Sequence, residues 1–287
     1  STALAWASVV FATALSIFGY RTAVQWAMGN GRPSCNAAVS TVAMAATTGE
    51  TTSAAVEKAQ SQDGFMDVPY DRLQFSWRRI WLFAASPLLL APLAFVVQYF
   101  LNVPLMGQEY VLDSTSIVSG VLYSVPWVLA SLLPIEKVPG LSILGEIDKV
   151  ANFLTMMTFG TDKTVATLGK AFIGSVIIST AAGVGEELVF RGALQGGLQQ
   201  LLVAASAPAA LAMGLPLVVA SLIFGVLHNY SNSPAYTIVA AIAGGYFGWL
   251  YLVTGNLVVP MVAHLMVDLV SFFINYVRIA WLSDAEA

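Results

Sequence analysis

Charge is what this chain has least of. Of 287 residues, 12 are Lys or Arg and 16 are Asp or Glu, where a soluble domain carries about a quarter charged residues. That shortage, with 57% hydrophobic residues and a mean hydropathy of +0.76, excludes an ordinary water-soluble globule and leaves an integral membrane protein. There is a single cysteine, Cys35, so no disulfide can form within the chain, and nothing near it supports a thiol nucleophile. A net charge of −4 gives no reason to expect nucleic acid as a partner. Acidic residues are missing altogether before Glu50, where Ser, Thr and Ala are frequent and the first residue is Ser1 rather than Met. A removed leader is expected, and the bias is shared with organelle targeting segments. A membrane helix followed by a low-complexity loop is the simpler reading.

Long apolar runs are what the chain does have. A membrane-crossing helix needs about 20 mostly apolar residues. Such runs are expected at residues 3–20, 80–101, 115–134, 171–203, 209–228, 235–253 and 257–277. The predicted fold is therefore all-α, a polytopic membrane bundle of about seven transmembrane helices. Pro87, Pro92, Pro126 and Pro216 fall inside spans, which membrane helices tolerate when neighbours satisfy the freed carbonyls. Trp6, Trp26, Trp81, Trp127, Trp249 and Trp281 fall in or near span ends, where interfacial aromatic belts sit. Residues 31–70 are polar, small and aperiodic and read as an extended loop. "VPGLSILGEIDKVANFLTMMTFG", Val138 to Gly160, reads as an amphipathic surface helix. The chain divides into an N-terminal helix and polar loop (1–79), two spans and the amphipathic segment (80–165), a membrane core (166–278) and a tail (279–287).

Basic residues set an orientation. Arg21, Arg32, Lys58, Arg72, Arg78 and Arg79 follow the first span; Lys137, Lys149, Lys163 and Lys170 follow the third; Arg278 follows the last. With seven spans all of them share one face, which the positive-inside rule assigns to the cytoplasm or its organellar equivalent.

From Ala171 to Val277 the only charged residues are Glu186, Glu187, Arg191 and Asp268, and both histidines of the chain, His228 and His264, lie there too. Each charge facing lipid would cost about 2.5–3.5 kcal/mol on insertion scales. They are therefore expected to converge on one hydrated cavity. Glu187 and Arg191 are four apart and can pair on one helical face. Glu186 points about 100° away and stays free to take a proton. His264 and Asp268 repeat the four-residue spacing, as do Phe224 and His228. Gly183, Gly185, Gly192, Gly196 and Gly197 flank the acidic pair and let other helices approach. For Glu186 to reach His228, the long helix must start near Thr164, outside the bilayer, and run tilted. The cavity would then open toward the basic side, with His264 deeper. Gly244–Gly248 reads as a packing motif, and Asn232, four after His228, as a weak candidate to assist the site.

At this point the residues resemble a family. "EELVFR" (186–191), "FGVLH" (224–228) and "HLMVD" (264–268) are similar to the EExxxR, FxxxH and HxxxN/D motifs of the CAAX-protease and bacteriocin-processing family of glutamate intramembrane proteases. The resemblance covers roughly residues 165–275. It implies peptide hydrolysis in the membrane, with Glu186 and His228 binding and deprotonating a water, His264 and Asp268 stabilising the oxyanion, and Arg191 holding Glu187. Glu187, Arg191 and Phe224 would be structural. Donors aimed at a developing oxyanion gain strength in a water-poor site. The prenyl-processing branch typically carries Asn where this chain has Asp268, which argues against naming prenylated CAAX peptides as the substrate. No cofactor is expected. Zinc on two His and a Glu is the minor alternative, since HExxH is absent and the ligands would come from three helices.

A rival reading keeps the family's polar core for folding alone and makes the chain a non-proteolytic accessory subunit of a larger membrane complex. The N-terminal composition would suit a thylakoid in a plastid. A transporter with an intramembrane proton relay is disfavoured because no internal repeat is present. The expected partners are membrane lipid, a peptide substrate or a larger membrane complex.

Overall fold

The computed structural model describes residues 74–101, 111–132, 145–229 and 233–282. The expected first span (3–20), the polar loop, Cys35, Trp6, Trp26 and Asn232 lie outside the described residues. Among the described residues every regular element is helical: α1 Trp77–Leu101, α2 Ser114–Leu132, α3 Gly145–Phe159, α4 Val165–Glu187, a π-helical segment Leu188–Gln195, α5 Gly196–Ala204, α6 Ala209–Leu227, α7 Pro234–Thr254, α8 Val258–Val277 and a closing π turn Arg278–Leu282. Six stretches are long and apolar enough to cross a membrane: Trp77–Val96, Ser114–Leu132, Val165–Ala204, Ala209–Leu227, Pro234–Thr254 and Val258–Trp281. They coincide with the six expected spans that fall on described residues. The chain is a polytopic membrane helix bundle.

Local chemistry sets the helix limits. The Thr164 hydroxyl accepts from the Thr167 amide at 3.1 Å and caps α4, where the depth argument required the helix to start. The Ser233 hydroxyl accepts from the Tyr236 amide, with Pro234 in the first helical turn of α7. Gly255, at φ 63°, ends α7 in the left-handed conformation that glycine adopts without strain. From Val165 the chain then stays helical for 40 residues, to Ala204, roughly 60 Å of helix. This is the most buried of the six spans, and α1, α6 and α8 pack along it, while α2 packs on α8. In lipid, helices associate by close packing of small residues. Accordingly Gly183 lies against the Met261 carbonyl of α8 and Gly185 against the Pro87 carbonyl of α1.

Three expectations change in detail. The domain boundary at 79/80 falls inside α1, which starts at Trp77 and packs along α4. The α3 segment does not lie free on a surface. It packs against α1, α7 and α8 and buries Val150, Phe153, Met157 and Phe159. It can do so because Thr155 and Thr158 turn their hydroxyls onto the Ala151 and Leu154 carbonyls of their own helix, at 2.7 and 2.6 Å. Trp127 is half-buried and lines an internal cavity, while Trp81, Trp249 and Trp281 are exposed.

Hydrogen bonds mark the two ends of the bundle. At one end Asp162 accepts from the Phe75 amide and the Tyr276 hydroxyl, Arg278 donates to the Leu132 carbonyl, and Ser233 donates to Glu146. At the other, Asn256 donates to the Val111 carbonyl and to Ser116. Arg78, Arg79, Lys149, Lys170 and Arg278 belong to elements that begin or finish at the first end, and Lys163 lies in the connection between α3 and α4 there.

Candidate active site

Successive residues of α4, Glu186 and Glu187, point into two different environments. The Glu187 side chain is fully buried. Its Oε2 lies 3.1 Å from Arg191 Nε, and its Oε1 2.8 Å from His264 Nδ1. The first contact is an ion pair whose angle falls outside hydrogen-bond geometry. The second is a hydrogen bond: an ionised carboxylate only accepts, so Nδ1 carries the hydrogen and donates. Arg191 donates from Nη2 to the Gly244 carbonyl at 2.7 Å and lies 4.8 Å from the centre of the Phe224 ring. The expected Glu187–Arg191 pair is thus present, with His264 as a third member that spacing could not reveal.

The π-helical segment starts at the residue after Glu187. Segments of this kind occur often at functional sites. Its two inward polar side chains, Arg191 and Gln195, reach carbonyls one turn apart on α7: Gln195 Nε2 donates to Gly248 at 3.0 Å, as Arg191 does to Gly244. Gly244 and Gly248 therefore offer more than a smooth packing face. Gln195 was overlooked in the sequence, although its position four after Arg191 was the available signal.

Glu186 faces the other way. Its Oε2 stands 3.7 Å from His228 Nε2, beyond hydrogen-bond reach, and has no hydrogen-bond partner among the described residues. His228 caps the C-terminus of α6. Its Nδ1 lies 2.8 Å from the Phe224 carbonyl; donating there, it turns Nε2 toward Glu186 as an acceptor. Its ring stacks on Phe224, centroids 4.2 Å apart. His264 stacks flat on Phe247, centroids 4.7 Å apart and planes 15° apart. Its Nε2 stands 3.5 Å from Asp268 Oδ2. Phe247 is a second residue that sequence reading overlooked, since one aromatic in an apolar helix carries no signal.

A cavity of about 470 Å³ is bounded by Glu186, His228, His264 and Asp268 together with largely apolar side chains of α1, α2, α3, α6 and α7. Glu187 and Arg191 do not reach it. They form a sealed layer behind it, 0% and 1% exposed, while the Glu186 and His228 side chains are 15% and 16% exposed. The six polar side chains thus gather in one region as expected, but four of them, Glu186, His228, His264 and Asp268, line the cavity, while Glu187 and Arg191, expected there too, are sealed behind it. Among the described residues no group of three or more His, Cys, Asp or Glu side chains has the geometry to hold a metal ion.

Fold and site together define a class: a multi-pass membrane helix bundle with carboxylates and imidazoles gathered around a cavity in its apolar interior. Residues 168–270 match the family model described as type II CAAX prenyl endopeptidase Rce1-like. The match runs from α4 into α8, contains all three motifs and falls within the expected membrane core of 166–278. The family resemblance read from those motifs holds over this segment. Neither the curated proteins nor the solved structures compared with the chain gave a match.

Proposed function

We propose that the protein is an intramembrane endopeptidase that hydrolyses a peptide bond with a water held between Glu186 and His228. One observation carries this reading: an unpartnered Glu186 oxygen 3.7 Å from His228 Nε2 at a cavity wall. A water oxygen about 2.8 Å from each atom fits that gap, giving one hydrogen to the carboxylate and the other to the imidazole. Its lone pair then faces the cavity. Glu186 takes the proton as the water oxygen bonds to the scissile carbonyl carbon. His264 acts as an imidazolium: Nδ1 donates to Glu187, and Nε2, beside Asp268, donates to the oxyanion. The C–N bond breaks as Glu186 passes its proton to the departing nitrogen. The Glu187–Arg191 pair holds His264 and, through the shared helix, Glu186 in register and takes no part in proton transfer.

The test compares membranes carrying the full chain with membranes carrying Glu186→Gln, by mass spectrometry of newly formed peptide termini. New termini are expected with the unaltered protein and none with the variant, at equal melting temperature. Termini that persist with Glu186→Gln would refute the general-base role. Parallel prenylated and unprenylated peptides of one sequence assign the substrate class, with the unprenylated peptide favoured because of Asp268.

The sealed Glu187–Arg191 pair, with His264 bonded to it, supports a second reading, in which the polar core serves folding and the protein is an accessory subunit of a larger membrane complex, thylakoid membranes included. Absence of any new terminus, with co-purifying membrane subunits, would favour it. In either reading we place the end bearing Arg278 on the cytoplasmic or stromal side, from the distribution of Lys and Arg.

A further inference from the structure

Helix α8 is apolar apart from His264, Asp268, Ser271, Asn275 and the Tyr276 phenol. The first four are spaced by four, three and four residues, which keeps them within about 60° of arc on an α-helix. All four line the cavity. His264 and Asp268 have roles in the site, but Ser271 and Asn275 have none. Among the described residues neither side chain has a hydrogen-bond partner. An unpartnered amide or hydroxyl is costly in hydrocarbon. The described neighbours offer these two nothing, which leaves water to solvate them. The line from His264 to Asn275 covers roughly 16 Å of helix. It finishes within one turn of Arg278, at the end of the bundle where Arg278 meets the Leu132 carbonyl. Asp148 of α3 lines the same cavity.

We propose that this face of α8 is a hydrated path: water enters beside Asn275, passes Ser271 and Asp268, and replaces the molecule consumed at Glu186 in each hydrolysis. The existence of the path rests on the geometry of α8, and only its use rests on the endopeptidase reading.

The path is tested by cysteine accessibility in the full chain, reconstituted in liposomes with Cys35→Ala as background. Ser271→Cys and Asn275→Cys are compared with Leu129→Cys. Leu129 is 57% exposed on the outer face of α2. Because Ser116 meets Asn256 and Gly120 packs on Val259 and Val262, the two parallel helices place Leu129 about level with Ser271. The probe is a charged, membrane-impermeant methanethiosulfonate, which reacts with the thiolate that forms in water. Ser271→Cys and Asn275→Cys are expected to react at least about tenfold faster than Leu129→Cys, the thiolate being absent from hydrocarbon. Rates at both sites as low as at Leu129→Cys would overturn the path. So would equally fast reaction at all three, which would put this level outside the bilayer. Ser271→Leu is expected to lower kcat about tenfold with KM unchanged, as a starved water supply would. Fast labelling in a protein that cleaves nothing leaves the path standing and removes the endopeptidase.

Discussion

Removing both charges from the sealed layer should cost less than the two separate removals added together. Glu187 and Arg191 are 0% and 1% exposed and 3.1 Å apart. Arg191→Leu leaves a buried carboxylate with His264 as its one remaining polar partner, and vacates the Gly244 carbonyl. Glu187→Gln keeps an acceptor for His264 but strands a guanidinium in the apolar core. Breaking a buried pair from one side costs about 3–5 kcal/mol. For a chain of this size each kcal/mol moves Tm by about 2–4 °C, so each single variant should melt about 6–20 °C lower. The double variant Glu187→Gln/Arg191→Leu carries no stranded charge, and its loss should fall short of the sum of the singles by about 1–3 kcal/mol. The assay is thermal unfolding in one detergent at a single scan rate, since melting of membrane bundles is commonly irreversible. Strictly additive losses, or singles that melt with the unaltered protein, would refute the ion pair as a coupled unit.

Glycine substitutions separate contact from propensity. A Cβ at Gly248 would lie 2.5 Å from Leu217 Cδ1 and 2.6 Å from Gln195 Oε1, so Gly248→Ala should cost about 1–3 kcal/mol. A Cβ at Gly214 meets nothing within 4 Å, and Gly214→Ala should leave Tm unchanged or raise it by up to about 1 kcal/mol of stability; the opposite order of the two melting points would contradict the packing described. At the start of α2, Asp113 accepts from the Ser116 amide at 2.7 Å, which holds its carboxyl below the usual carboxylate range. A depressed value means the cap is complete above the ordinary Asp range and is lost as pH falls through the folded value. Amide exchange at Ser116, corrected for the intrinsic pH dependence, should accelerate only on acidification below that range, and a pH-independent protection would refute the cap.

Much of the architecture was legible because hydropathy is a local property. A run of about 20 apolar residues must be helical in hydrocarbon wherever it sits, so the six described spans and the polar residues interrupting them could be located from the sequence. The start of α4 at Thr164 followed from one length argument. The four-residue spacing also assigned Glu187 to Arg191 and left Glu186 for His228, since a helix fixes which side chains share a face.

The rest depended on how helices meet. Which imidazole Glu187 would bind was decided by α8 lying close enough to Gly183 for His264 to reach across. The π segment, the anchoring of Arg191 and Gln195 on α7, the stacking of Phe247 on His264 and the burial of α3 likewise depend on neighbours far away in sequence. Periodicity along one helix states which residues face inward. It carries no information about what another helix brings to meet them, because that is set by the rotation, depth and tilt at which apolar surfaces fit together. In this protein the sequence determined the helices and the inventory of polar groups, and tertiary packing decided which of those groups were sealed away and which faced the cavity.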